Sequence, residues 1–227
     1  MKNIIKAINQ CITLYSKRKY QDVVNKLPLL LSHIPFNGQL IYILAMSERF
    51  VGNAKQSKYY FNMLLENEPN NCAYLCGYAN LLITLNEVDE AQYLFEKSLS
   101  INRHYFDTNY NLGRLFALKK NFLQAYEYYK ASVVIEPNNQ AAYLGLIDCE
   151  SKIKSQDEAI KTCLIFIKNN VENKQIKHKL ALLYKDLKNT TQCIVTYQEL
   201  LHLFPDDYSI NKSYLLSCAY LGFLDSL

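Results

Sequence analysis

Glycine and proline are scarce in this chain, six and five of 227 residues. The glycines do not cluster, so no Gly-rich phosphate-cradling loop is present, and neither a G-x-S-x-G elbow nor an H-E-x-x-H helix occurs. No nucleophile–base pair is suggested, and the chain does not read as an enzyme. No run of eighteen apolar residues is found, so no membrane span is expected. Neither sign of charge dominates. The 25 Lys and Arg against 21 Asp and Glu leave a net +4, short of what would by itself argue for nucleic acid. Lys6, Asn9 and Gln10 interrupt the apolar residues between Met1 and Tyr15, a pattern that reads as an amphipathic helix and not a signal peptide. A cytoplasmic location is expected. The seven cysteines, an odd number, suggest no disulfide framework. Cys72 and Cys76 share a helix face, but the four histidines, His33, His104, His178 and His202, are scattered, and a zinc site needs two more ligands. No metal or cofactor is expected.

What the chain does have is a period. Pro35, Pro69, Pro137 and Pro205 sit on a 34-residue lattice, a spacing that marks an α-solenoid. With each proline at position 32, the units run 4–37, 38–71, 72–105, 106–139, 140–173 and 174–207. Position 8 reads Cys11, Ala45, Ala79, Gly113, Ile147 and Ala181, and position 20 reads Val23, Ser57, Ala91, Ala125, Ala159 and Cys193. Position 24 reads Leu27, Phe61, Phe95, Tyr129, Cys163 and Tyr197, and position 28 reads Leu31, Leu65, Leu99, Val133, Ile167 and Leu201. Positions 20, 24 and 28 stack on one helix face, and positions 4, 7, 8 and 11 form an earlier stripe. The small residues let two helix backbones approach, and a large residue at 24 fills the space beside them. Each unit is therefore a helix–turn–helix hairpin whose apolar side is buried only by its neighbours.

The turns agree. Gly52 and Gly222 fall at position 15, with Asn86, Asn121 and Asn189 at or beside it, residues that tolerate the left-handed conformation ending a helix. Asn70-Asn71, Asn138-Asn139 and Asp206-Asp207 follow prolines and are placed to cap the next helix. Some positions break the pattern. Pro28 falls inside a second helix and should kink it or shift its start. Arg103 and Val171 replace the proline stop. Glu48 and Glu150 occupy an apolar position, and both are expected to reach solvent or a nearby Lys or Arg.

The arrangement resembles the tetratricopeptide repeat family over nearly the whole chain. Unit 106–139 carries it most sharply, through Leu112-Gly113, Phe116, Phe122, Ala125, Tyr129 and Pro137-Asn138-Asn139. Unit 72–105 follows with Tyr78-Ala79, Leu82, Glu90-Ala91, Phe95 and Leu99. The resemblance implies an all-α fold: a right-handed α-α superhelix (solenoid) of six hairpins plus a C-terminal helix, 208–227, in a single domain, 1–227. It also implies that first helices line a concave groove through positions 2, 5, 6, 9, 12 and 13. On this chain the candidate peptide-binding residues are Tyr42, Met46, Cys76, Asn80, Tyr110, Asn111, Arg114 and Asp148. Asparagine amides can bond a peptide backbone in two directions, and Arg114 can hold a carboxylate. The chaperone-tail clamp of some family members is not reproduced. At its positions stand Cys76, Asn80, Asn111, Ala141 and Gly145, which lack all three basic residues.

The functional expectation is a non-catalytic protein-interaction scaffold with a protein or peptide partner. The alternative is the N-terminal recruiting module of a larger enzyme, such as a glycosyl- or sulfo-transferase or an oxygenase. A basic run, Lys174, Lys177, Lys179, Lys185 and Lys188, reads as a solvated face, or else as an attractor of an acidic peptide or nucleic acid. Its few aromatics argue against nucleic acid. The C-terminal helix is apolar at Tyr214, Leu215, Cys218, Ala219 and Leu221. Either it caps the array and pairs with a partner or second copy as a homodimer, or the chain is the front section of a longer protein.

Overall fold

The computed structural model describes residues 2–222. Among them are thirteen helices and no strand: α1 Lys2–Ser16, α2 Tyr20–Leu31, α3 Gly38–Val51, α4 Ala54–Asn67, α5 Cys72–Thr84, α6 Val88–Ile101, α7 Phe106–Leu118, α8 Phe122–Ile135, α9 Gln140–Ile153, α10 Gln156–Asn169, α11 Lys174–Asp186, α12 Thr190–Leu203 and α13 Tyr208–Tyr220. The six hairpins and the following helix fall where the 34-residue lattice puts them. The last five residues of the expected C-terminal helix, 223–227, lie outside the described residues. Packing groups the chain into two compact units, Met1–Asn111 and Leu112–Leu227. Within the first, α1 packs on α2, α2 on α3, α3 on α4, α4 on α5 and α5 on α6. Within the second, α8 packs on α9, α9 on α10, α10 on α11, α11 on α12 and α12 on α13.

The period is written into the backbone as well as the side chains. Position 15 has positive φ at Arg18 (58°), Gly52 (94°), Asn86 (62°), Lys120 (58°), Lys188 (57°) and Gly222 (76°). Lys154 is the exception, at φ −113°. Two expectations about this turn are corrected. At Asn121 and Asn189 the left-handed residue is the lysine before them. The asparagine begins the next helix instead, and its side chain accepts from the Gln124 and Gln192 amides at 3.2 and 3.3 Å. The lysines adopt this conformation because the packed hairpin demands it, not because lysine favours it.

Position 34 supplies the opposite cap. The side chains of Asn37, Asn71, Asn139, Asn173 and Asp207 accept from amides one turn into their helices at 2.9–3.3 Å. These bonds satisfy donors that a helix start leaves open. Helices α4, α6, α8, α10 and α12 all end two residues before position 32, whether or not a proline stands there. The second-helix end is therefore set by the repeat's packing and by the cap that follows. Helix α2 runs through Pro28 and starts at the same lattice position as the other second helices, so the start is not shifted.

The core columns at positions 8, 20 and 24 are occupied as expected, and the fourth is displaced by one residue. Positions 8 and 20 are buried throughout, and Leu27, Phe61, Phe95, Cys163 and Tyr197 of position 24 are fully buried. Position 28 is only half-buried. The buried column lies one residue earlier, at Leu64, Ser98, Ser132, Phe166 and Leu200. In two places the ring at position 24 leans on a glycine of the next hairpin. A Cβ on Gly77 would meet Phe61 and Tyr42 at 2.8 Å, and one on Gly145 would collide with Tyr129. A side chain at either glycine would displace a core ring.

Glu48 and Glu150 do not reach solvent. Glu48 is 4% exposed, and its Oε2 accepts from Asn53 Nδ2 at 2.7 Å. Glu150 is 6% exposed. Burial pushes its carboxyl above the usual range, Thr162 and Lys154 oppose that rise, and Oε2 meets no donor. At the far end, the inner face of α13 packs Ile210 and Cys218 toward α11 and α12, while Leu215, Leu216 and Tyr220 are exposed.

Candidate functional site: the first-helix faces

In the unit 1–111 the candidate residues separate by burial. Tyr42, Met46, Asn80 and Tyr110 are half-buried. The Tyr42 ring lies 5.5 Å from that of Tyr74, and Tyr110 stacks on Phe106 at 5.7 Å. Burial raises the Tyr42 phenol above its ordinary value, so it stays a neutral donor.

Cys76 and Asn111 are corrected: neither is presented to a groove. Cys76 is 3% exposed, with Sγ 3.0 Å from Thr108 Oγ1 and 3.8 Å from Ser98 Oγ. Ser98 and Thr108 bond each other at 2.6 Å. The small Ser98 leaves room in a column where Leu64, Phe166 and Leu200 stand in other repeats, and the thiol and the two hydroxyls satisfy one another there. Burial pushes the Cys76 thiol up to about 11, which makes it neither a nucleophile nor a ready metal ligand. Asn111 donates from Nδ2 to the Asp107 carbonyl at 2.8 Å, inside its own helix.

The same unit has a groove feature the candidate set passed over. Ile5, Ile8 and Ile12 occupy positions 2, 5 and 9 of the first hairpin and, with Phe36 and Leu40, line an open trough of about 460 Å³. Ile5 and Phe36 are half exposed. The signal was in the sequence, since the groove positions of the first unit were never assigned.

In the unit 112–227, Arg114 and Asp148 are exposed and line one cleft of about 290 Å³. Leu118, Phe122, Gly145 and Lys152 complete its walls. Most of these are groove positions 6, 9 and 13 of adjacent repeats. Tyr129 forms the floor, packed against Gly145 and Gly113. Lys152 Nζ sits 4.0 Å from the centre of the Phe122 ring, and Lys179 Nζ pairs with Asp148 Oδ1 at 2.5 Å. The cleft thus offers both signs of charge beside apolar surface, which suits a polypeptide strand or helix. Leu118 and Lys152 stand at position 13, from which no candidate was drawn, and Phe122 is at position 17, the first residue of α8 and outside the first-helix positions altogether.

Two segments match models of the tetratricopeptide repeat, residues 106–139 and 178–207. Each match spans about one repeat. The search of curated proteins finds no match. Among solved structures, pilF of Pseudomonas aeruginosa is similar at TM-score 0.73 and 17% identity, covering 96% of this chain and 97% of that one. A chain of the APC/C hetero-tetramer Cut9–Hcn1 is similar at TM-score 0.70 and 14% identity, over 94% of this chain but only 42% of its own length. YrrB, described as a TPR protein with an unusual peptide-binding site, is similar at TM-score 0.62 and 16% identity, over 78% and 91%. At these identities the likeness is one of fold. With the repeat matches and the periodic hairpins, it shows that this chain carries tetratricopeptide repeats and has the all-α solenoid fold of that class. That fold is in general one of protein-interaction scaffolds. Among the described residues no helix is long and apolar enough to cross a membrane, and no group of His, Cys, Asp or Glu is placed to hold a metal ion.

Proposed function

We propose that this chain is a non-catalytic scaffold that binds a peptide or protein segment along its first-helix faces. The observation that carries this reading is the cleft of Arg114, Leu118, Phe122, Asp148 and Lys152. Neighbouring repeats place groove positions side by side there, with an exposed guanidinium and carboxylate flanking apolar walls. Arg114 offers a bidentate fork to a carboxylate or to backbone carbonyls. The fixed rings of Phe122 and Tyr129 supply contact area at low entropic cost. Nothing in the cleft pairs a nucleophile with a base, which favours binding over chemistry.

Panning a random peptide library on the purified chain tests the proposal. Enriched peptides should lose at least about tenfold in affinity on Arg114→Glu or Leu118→Ser, the range expected for truncating central interface residues. Substituting Lys168, which is exposed and does not line the cleft, should leave them bound. Failure to enrich any peptide, or equal binding by the cleft variants, would reject the groove assignment.

A further inference from the structure

The charge of this chain is not spread along it. Residues 1–37 hold six basic residues, Lys2, Lys6, Lys17, Arg18, Lys19 and Lys26, against one acidic residue, Asp22. The first hairpin is therefore +5 in a chain that totals +4, and all that follows is slightly acidic. Four of those lysines, Lys6, Lys17, Lys19 and Lys26, surround one cleft of about 500 Å³ between α1 and α2. All four are exposed, and among the described residues none forms an ion pair. The amides of Asn9 and Gln10 line the same cleft, and Leu14 is its apolar contact.

This arrangement costs something. Like charges around one depression repel, and low-dielectric walls focus their field into it. Elsewhere the protein neutralises such residues: in α11, Lys174, Lys177 and Lys179 each hold a carboxylate. A terminal hairpin does need a polar outer surface, but solubility alone asks for mixed charge, not for one sign gathered around a cleft.

We infer that the α1–α2 cleft docks an acidic polypeptide segment, whose carboxylates are held by Lys6, Lys17, Lys19 and Lys26. The cleft favours polypeptide over nucleic acid on three counts. Among the described residues no aromatic ring lines it for a base to stack on. Among the same residues no arginine lines it to read a base edge. Asn9 and Gln10 present both donors and acceptors, which match a peptide backbone. The site is separate from the groove proposed above. Lys6, Gln10 and Lys17 stand on a different face of α1 from Ile5, Ile8 and Ile12 at the helical spacing of 100° per residue.

Binding of a fluorescent poly-glutamate peptide to the full chain, followed by anisotropy at low and moderate salt, tests the inference. The wild type should bind, with affinity falling as salt rises. Lys6→Glu/Lys17→Glu/Lys26→Glu should weaken binding by at least about tenfold. A charge-matched control, Lys55→Glu/Lys97→Glu/Lys168→Glu, should change it by no more than about threefold, and Arg114→Ala should leave it unchanged. Lys17→Gln/Lys26→Gln, which adds no negative charge, should give an intermediate loss and stands alone if circular dichroism shows the triple variant unfolded. The inference is overturned by absence of poly-glutamate binding, by equal binding of the lysine variants, or by an oligonucleotide of matched charge binding more tightly through the same lysines.

Discussion

Two stretches of this chain are about equally rich in lysine, and the fold treats them in opposite ways. In the first hairpin, Lys6, Lys17, Lys19 and Lys26 face solvent around an open cleft and, among the described residues, hold no carboxylate. In α11, Lys174 pairs with Asp207 at 2.7 Å, Lys177 with Glu199 at 3.0 Å and Lys179 with Asp148 at 2.5 Å. Each partner comes from a different helix: Asp148 from α9, Glu199 from α12, Asp207 from the cap before α13. Lys177 is 5% exposed, a depth lysine tolerates only with a partner for its ammonium and an apolar bed for its stem. A run of basic residues is thus not a surface property until the neighbouring repeats are known. The second run is partly structural mortar, while the first is left available.

The largest test of that contrast is reversal of one lysine in each region. Lys177→Glu would bury a carboxylate beside Glu199 and should cost about 3 kcal/mol in thermal or urea unfolding. Lys17→Glu, fully in water, should stay within about 0.5 kcal/mol. Equal losses would erase the distinction between the two regions.

The backbone offers a case where the two regions should agree. Arg18 and Lys188 hold the same left-handed turn, at φ 58° and 57°. Arg18→Gly and Lys188→Gly should each stabilise by about 1 kcal/mol, because glycine carries no Cβ penalty there. A loss at either would show that its side chain contributes more than the strain it brings.

His178 sharpens the contrast through pH. Burial lowers its pKa, which the nearby Asp207 opposes and Lys185, Lys174 and Lys179 reinforce. Its Nε2 meets no partner, and its ring lies edge-on to Tyr197 at 5.9 Å. The unfolded chain takes up a proton near the ordinary value of 6.5, and the folded chain only at lower pH. Stability carried by the neutral ring is therefore full above that value and is lost as pH falls through it toward the lowered one. His178→Phe should flatten the fall in melting temperature between neutral and mildly acidic pH. An unchanged pH profile would place the histidine's titration outside the fold's energetics. The smallest effect belongs to the first hairpin: Lys6→Ala should leave stability within about 0.5 kcal/mol at any pH from 5 to 8, since nothing in the fold leans on that ammonium.

Much of this was legible along the chain. The 34-residue lattice, the small residues at positions 8 and 20 and the capping asparagines all report local needs of a hairpin, and local needs leave a periodic trace. The residues that were misread share a different character. Cys76 and Asn111 sit at groove positions by count, yet Ser98 and Thr108 draw Cys76 inward and the Asp107 carbonyl occupies Asn111. Glu48 and Glu150 were expected to reach solvent or a nearby Lys or Arg, and both are buried, with Asn53 holding Glu48 and Lys154 near enough to act on Glu150. For Cys76 the deciding atoms lie on other elements of the hairpin pair, and for Asn111 one turn back in its own helix, where a count of positions does not show them.

The sequence by itself determined the class of fold, the length of each hairpin and where its helices begin, because these depend on residue size, spacing and turn chemistry within one repeat. Tertiary structure alone decided which lysines are spent on carboxylates and which stay open, which thiol is sealed away and where apolar surface forms a cleft. Those outcomes depend on what the adjoining hairpin brings within a few ångströms, and hydrogen bonds and ion pairs act only at that range.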